Sequence, residues 1–278
     1  MKIDVLKMIE DLRVKTLSKF PGEDYITTLA IIQVGNNPAS NLYVKSKKKE
    51  MERWRIKVKH YHFKNDISVV TLLETIDKLN NDIEVAGIII QLPLPDHLKK
   101  YEELLINEIR PSKNVDGFEQ KNNVTCRPLY TPCTPKGIVY ILNQMRTIRG
   151  KTVCLIGRGK TVGKPLIDIL SKEPCTLICC NSSTDEQVLK CMIRQSDIII
   201  TAVGKPGLFT GLDVKPDALV IDAGISYVDG KQTGDFDNSN VWSDKIDYTP
   251  HLGGVGKMTV CMLAINTIES ANNFNRNE

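Results

Sequence analysis

The sequence predicts an α/β protein of two lobes, each built on a parallel sheet. Three observations carry that reading. Short apolar runs rich in β-branched residues alternate with amphipathic helical stretches along the chain. Several of the runs, such as VAGIIIQL and DIIITAVG, are apolar without interruption, as strands buried on both faces are. The rhythm occurs twice, before residue 110 and after residue 150, and the pattern between about 119 and 135 is the weakest, which marks a connection between lobes. The length of 278 residues accommodates two modest cores.

In the first half, residues 3–19 read as an amphipathic helix and TLAIIQV at 28–34 as a strand. NNPAS then turns the chain, with Pro38 placed to open a basic helix that runs to about residue 53. IKVKHYHF at 56–63 is strand-like, and its His60-Tyr61-His62 alternation puts both imidazoles on one face. A helix over 69–80, a buried strand over 85–92 and a helix over about 98–108 follow. In the second half the strands fall at 152–157, 175–181, 197–204 and 218–225, with helices at 162–171 and 185–195. YVDGKQTGD places Asp-Gly between short extended pieces, a hairpin signal, and 258–272 closes the chain as a helix.

Composition excludes several classes. A net charge of +4 suits a small anionic ligand and is too weak for a nucleic-acid surface. No apolar run is long enough to span a bilayer, and MKIDVLKMIEDLRVK has no signal-peptide core, so a cytoplasmic protein is expected. The eight cysteines form no C-x-x-C pair and no finger-like set with the four histidines. No metal site is therefore expected. Cys154, Cys179, Cys180 and Cys261 lie in apolar stretches and read as small buried hydrophobes.

The segment CLIGRGKTVGKP invites comparison with two phosphate loops. A triphosphate loop requires G-x-x-x-x-G-K-[ST], and both registers fail: Cys154 stands where one needs glycine, and Arg158 and Pro165 break the other. The dinucleotide pattern fits better. Gly157, Gly159 and Gly163 lie between a strand and a helix, one residue longer than G-x-G-x-x-G, and would let backbone amides at a helix N-terminus approach a pyrophosphate. At the end of the next strand, Asn181, Ser182, Ser183 and Thr184 supply no carboxylate, while Arg158 can pair with a phosphate. This favours NADP over NAD.

Six stretches then resemble the bifunctional methylenetetrahydrofolate dehydrogenase / methenyltetrahydrofolate cyclohydrolase family: VGNNPASNLYVKSKKK, GIIIQLPLP, PSKNVDGF, PCTPKGI, GRGKTVGKP and, in altered form, TPHLGGVGKMT. They occur in the family's order and cover the chain. The resemblance implies a folate-binding catalytic domain over residues 1–130 and 259–278, to which the C-terminal helix returns, and a Rossmann-type NADP domain over 131–258. It implies oxidation of 5,10-methylenetetrahydrofolate with NADP+, hydrolysis of the methenyl product to 10-formyltetrahydrofolate, and a homodimer through the Rossmann domain.

On the family's motifs, Tyr43 would stack on the folate and Lys47, four residues on along the same helix face, would be the catalytic amine. Gln91 would orient that amine, and Asp116 would accept hydrogen bonds from the pterin's amino edge. Gly254 joins the substrate set, and Val162 and Ile225 join Gly157, Arg158, Gly159, Gly163, Ser182 and Ser183 in the cofactor set. The chain departs from the family pattern at Gly159 (usually serine), Asn181 (usually histidine), Asn114 (usually aspartate), and at His251, Leu252 and Lys257 in TPHLGGVGKMT. A cyclohydrolase lacking hydride transfer, a non-catalytic folate or nucleotide binder, and a shikimate-type dehydrogenase share parts of this pattern. The Tyr-x-x-x-Lys, QLPLP and VDGF set favours the folate enzyme.

Overall fold

The structure, a computed structural model, describes residues 1–22, 24–118 and 129–274. Most of the expected inter-lobe connection, 119–128, lies outside them. The chain divides into two units: Leu12–Cys133 with the stretch from Val260 onward, and Met1–Asp11 with Thr134–Thr259.

In the first unit, β1 (Thr27–Val34) is the centre of a parallel sheet between β2 (Ile56–Phe63) and β3 (Val85–Ile90), in the order β2-β1-β3. Helix α1 (Val5–Leu17) precedes β1 and is shared between the units. Helix α2 (Pro38–Arg53) follows β1; Pro38 fills its first turn, and the Asn37 side chain accepts from the Ser40 amide at 3.1 Å. Helix α3 (Val69–Asn81) is capped by Ser68, which accepts from the Thr71 amide at 3.1 Å, and its Leu72, Ile76 and Leu79 recur at helical spacing. These three pack with Ala30, Ile32, Ile88 and Ile90 into the unit's core. β3 is buried along its whole length, as its unbroken apolar run requires.

One element differs from expectation. The helix read at 98–108 is two short ones, α4 (Asp96–Lys99) and α5 (Glu102–Asn107). Tyr101 leaves helical geometry at φ −100° and ψ 1° and packs its ring against the core, which breaks the run.

The second unit contains α6 (Cys133–Met145) from Thr134 on, then β4 (Thr152–Ile156), α7 (Gly163–Leu170), β5 (Thr176–Cys180), α8 (Glu186–Gln195), β6 (Ile198–Thr201), β7 (Phe209–Thr210), β8 (Leu219–Asp222), β9 (Ser226–Val228), β10 (Lys231–Thr233), β11 (Phe236–Asp237) and β12 (Asp247–Tyr248). Its main sheet runs β12-β8-β6-β4-β5, and every pairing in it is parallel. After β4 the chain moves outward to β5 and then crosses back to β6. The carboxyl end of β4 is therefore a topological switch point, where open α/β sheets hold ligands. β9 and β10 form the expected antiparallel hairpin, with Asp229 and Gly230 at positive φ, as an Asp-Gly turn of this type needs. β7, β11 and β12 are only two residues each, too short for a periodicity to announce.

Helix α9 (Val255–Phe274) ends the described chain, and from Val260 on it belongs to the first unit. Ser270 donates there to the carbonyls of Ala86 and Ser112, each at 2.7 Å, so the C-terminal helix packs onto the first lobe.

Cysteine readings need one correction. Cys154, Cys180 and Cys261 are buried, but Cys179 is exposed, because β5 is an edge strand of its sheet. His60 and His62 do share a face, with ring centroids 5.4 Å apart, and they bond to the Gln33 side chain and the Gly35 carbonyl.

Candidate active site and dinucleotide groove

Four of the residues singled out in the sequence converge in the first unit. The i, i+4 spacing on α2 aligns Tyr43 with Lys47, whose ammonium nitrogen lies 4.7 Å from the Tyr43 ring centroid. Lys47 is buried, and its Nζ donates to Gln91 Oε1 at 3.1 Å. Gln91 follows β3; its amide donates to the Ile32 carbonyl of β1 at 2.8 Å and its side-chain nitrogen to the Leu92 carbonyl at 2.6 Å. That second bond leaves Oε1 turned to the lysine, so the acceptor is fixed by the strand end.

Asp116 sits in the turn that follows. Gly117 has φ 75°, and a side chain there would strike the Tyr130 carbonyl and the Pro132 backbone at 2.7 Å. Only glycine closes this turn. Asn114, where the family usually has aspartate, donates to the Phe118 carbonyl at 3.3 Å and so closes the same turn.

The electrostatics of the four form one system. Burial pulls the Lys47 ammonium below the usual lysine range, and the nearby Asp116 carboxylate partly offsets it. Burial raises the Asp116 carboxyl, opposed by Lys47 and by a hydrogen bond from Cys133. Burial, followed by Asp116 and Cys133, raises the Tyr43 hydroxyl, so it stays protonated. A buried amine destabilised as a cation, held by a neutral amide and flanked by a carboxylate, is suited to exchanging a proton more readily than an exposed lysine.

Sequence reasoning missed two members of this site. Cys133 bonds the Asp116 carboxylate and donates to the Val115 carbonyl at 3.4 Å. Asn266 of α9 donates to the Val115 carbonyl at 2.8 Å and to the Thr131 carbonyl at 3.2 Å, joining the two segments that carry Asp116 and Cys133. PCTPKGI signalled the cysteine as a motif member; nothing in the apolar pattern of α9 signals Asn266.

In the second unit, a groove of about 1050 Å³ opens at the switch point. Gly157, Arg158, Gly159, Ser182 and Ser183 line it. Gly157 has φ 104°, and a Cβ there would meet the Ala202 carbonyl at 2.7 Å. A Cβ on Gly163 would overlap the Gly157 carbonyl, so this glycine lets α7 start directly against the loop. Gly159 differs: open space surrounds its Cβ position, and a serine would fit there. Val162 stands at the N-cap of α7 without a side-chain cap bond, which leaves the first turn's amides to the loop and its ligand.

The residues fit NADP. No carboxylate occupies 181–184, and Asp185 spends its own on the Gln187 and Val188 amides as the α8 N-cap. Glu186 is paired with Lys190 at 2.7 Å. Arg158, Lys164, Lys190 and Lys205 all border the groove. A 2′-phosphate bound here would meet cations and hydroxyls.

Four expected residues fall outside the residues that line these clusters; of these, Val162 and Gly163 stand beside the groove at the start of α7. Ile225 is half exposed at the start of the hairpin and does not line the groove. Gly254 belongs to the dinucleotide unit rather than to the unit of Tyr43, Lys47, Gln91 and Asp116; a Cβ on it would overlap the Pro250 carbonyl, so it serves the tight entry to α9.

Comparison with known proteins agrees with both halves. Residues 4–116 match the model of the tetrahydrofolate dehydrogenase/cyclohydrolase catalytic domain, and residues 132–275 match that of its NAD(P)-binding domain. The bifunctional protein FolD of an Exiguobacterium species is 41% identical over 249 residues, covering 88% of each chain. FolD of Anoxybacillus flavithermus is 40% identical over 92% of this chain and 91% of its own. Among solved structures, the bifunctional FolD of Campylobacter jejuni aligns with TM-score 0.84 and 38% identity over 97% of this chain and 96% of its own. The Trypanosoma brucei enzyme, complexed with NADP cofactor and inhibitor, aligns with TM-score 0.85 and 27% identity over 99% and 98%. With both family domains matched in order along one chain, the protein belongs to the tetrahydrofolate dehydrogenase/cyclohydrolase family.

Proposed function

We propose that this protein oxidises 5,10-methylenetetrahydrofolate to the methenyl form with NADP+ and hydrolyses that product to 10-formyltetrahydrofolate. Residues 1–130 and 259–278 would carry the folate chemistry, and 131–258 the dinucleotide. The observation that carries the reading is the buried Lys47–Gln91 contact beside Tyr43 and Asp116. A protein that only bound folate would have no use for a desolvated amine.

NADP+, when bound, supplies the acceptor for the hydride that leaves the methylene carbon. Gly157 and Gly163 would admit its pyrophosphate to the amides that open α7, and Arg158, Ser182 and Ser183 would hold the 2′-phosphate. Tyr43 would stack on the pterin and Asp116 would accept from its amino edge, orienting the reacting carbon. In hydrolysis, water adds to the methenyl carbon and the neutral Lys47 amine takes its proton. The bond from that carbon to N5 then breaks, N5 gains a proton, and the formyl group stays on N10. One proton is released to solvent. Gln91 keeps the amine aimed without locking it as a cation, since a carboxylate in its place would hold the proton.

A homodimer through the dinucleotide unit is the assembly we infer, supported by Tyr227 and Val228 exposed on the β9–β10 hairpin. The compartment we infer is the cytoplasm. Among the described residues no helix is long and apolar enough to cross a membrane. The test of the function is Lys47→Met: hydrolysis of the methenyl compound should fall at least a thousandfold, and activity within a few-fold of wild type would refute the assignment.

A further inference from the structure

A buried histidine–carboxylate contact in the dinucleotide unit is used by neither half-reaction as described. Asp222 ends β8 with its side chain 1% exposed, and it accepts from the Gly224 amide at 2.8 Å and the Phe236 amide at 2.9 Å. Asp235, the residue before Phe236, has no exposed surface. Its carboxylate accepts from Thr201 Oγ1 at 2.6 Å and from the amides of Val203 and Lys205, each at 2.8 Å. Val203 and Lys205 border the groove. The two carboxylates thus tie the end of β8, the 234–236 segment and one wall of the groove together at the carboxyl edge of the sheet.

His251 meets this system from the segment between β12 and α9. Its Nδ1 lies 3.4 Å from Asp222 Oδ2 and is buried with no hydrogen-bond partner. Gly234 makes room for the approach: a Cβ there would overlap both Asp222 Oδ2 and His251 Nδ1. The histidine's own carbonyl accepts from Gln232 of β10 at 3.0 Å. A lone pair on Nδ1 would face a buried negative oxygen, whereas an N–H there faces an acceptor, so the surroundings select the tautomer protonated at Nδ1.

We propose that His251 is a positioning residue for the dinucleotide groove: its Nδ1–H faces the buried Asp222 carboxylate and, through Asp222 and Asp235, holds the groove wall at 203–205 in the shape that binds NADP+. The inference rests on the reading of the groove as an NADP+ site. The residue is one of this chain's departures from the family's usual loop.

The test is calorimetric NADP+ binding to folate-free protein, for wild type, His251→Leu and His251→Asn. Leucine approximates the volume without a donor. The asparagine amide nitrogen can stand where Nδ1 stands and donates without charge. The Leu variant should raise the NADP+ Kd about tenfold, and the Asn variant should restore it to within about twofold. Direct hydrolysis of the methenyl compound in the same samples reports folding. Should either variant lose hydrolysis, nitrogen NMR of the wild-type imidazole decides: a proton on Nδ1 supports the inference and a bare Nδ1 overturns it. A folded Leu variant with wild-type affinity, or an Asn variant as weak as Leu, also overturns it. Wild-type protein that binds no NADP+ overturns the groove reading itself, and this inference with it.

Discussion

Lys47 shows how one side chain trades stability for chemistry. The folded protein holds its amine with lowered proton affinity, so the unfolded chain binds that proton more tightly. Its contribution to stability therefore rises with pH, from the lowered folded value up to the ordinary lysine range. Two outcomes follow for Lys47→Met. Thermal unfolding near neutral pH should show the variant more stable by roughly 1 kcal/mol, because a buried amine is replaced by an apolar chain of similar length. Hydrolysis in wild type should rise with pH as the amine loses its proton, beginning below the range of an exposed lysine, and the variant should lack that limb. Asp116→Asn keeps the shape but loses the charge proposed to meet the pterin, so KM for folate should rise roughly tenfold to a hundredfold in both half-reactions. Steady-state kinetics with each folate would show it; a change in one half-reaction alone would contradict a shared folate site.

At the scale of elements, the site depends on where strands and helices end. The strand end of β3 aims Gln91, and the start of α7 frames the groove. Gly163→Ala would drive its methyl into the Gly157 carbonyl, so NADP+ binding should weaken at least tenfold, measurable by calorimetry. Hydrolysis, which needs no dinucleotide, should persist. Ser68→Ala removes the α3 cap and should lower stability by about 1 kcal/mol in denaturant unfolding, with both activities kept. These elements were legible because local patterns announce them: the unbroken apolar run of β3 and the glycines between β4 and α7. The break at Tyr101 was not, since a single aromatic turning into the core overrides a helical pattern without altering it. Nor were β7, β11 and β12, which are held by tertiary pairing rather than by any local period.

For the whole molecule, two lobes and their order could be read from strand–helix rhythm, and the return of the C-terminal helix followed only from the family resemblance. Tyr43, Lys47, Gln91 and Asp116 come together as the motifs implied. Asn266 completed their setting unannounced, because a buried hydrogen-bonding partner from a distant helix leaves no periodic trace, whereas Cys133 was visible only as a member of PCTPKGI. The departures concentrate in the dinucleotide unit: Gly159 lies in open space, and Asn181, which lines the groove, accepts from the Ser183 amide at 2.8 Å. Neither disturbs the groove's frame, so hydride transfer should survive them. The most direct test of the central claim follows purified protein spectroscopically with 5,10-methylenetetrahydrofolate and NADP+ or NAD+, beside hydrolysis of the methenyl compound. Both reactions are expected, with NADP+ preferred. Hydrolysis without reduction of either dinucleotide would contradict that claim.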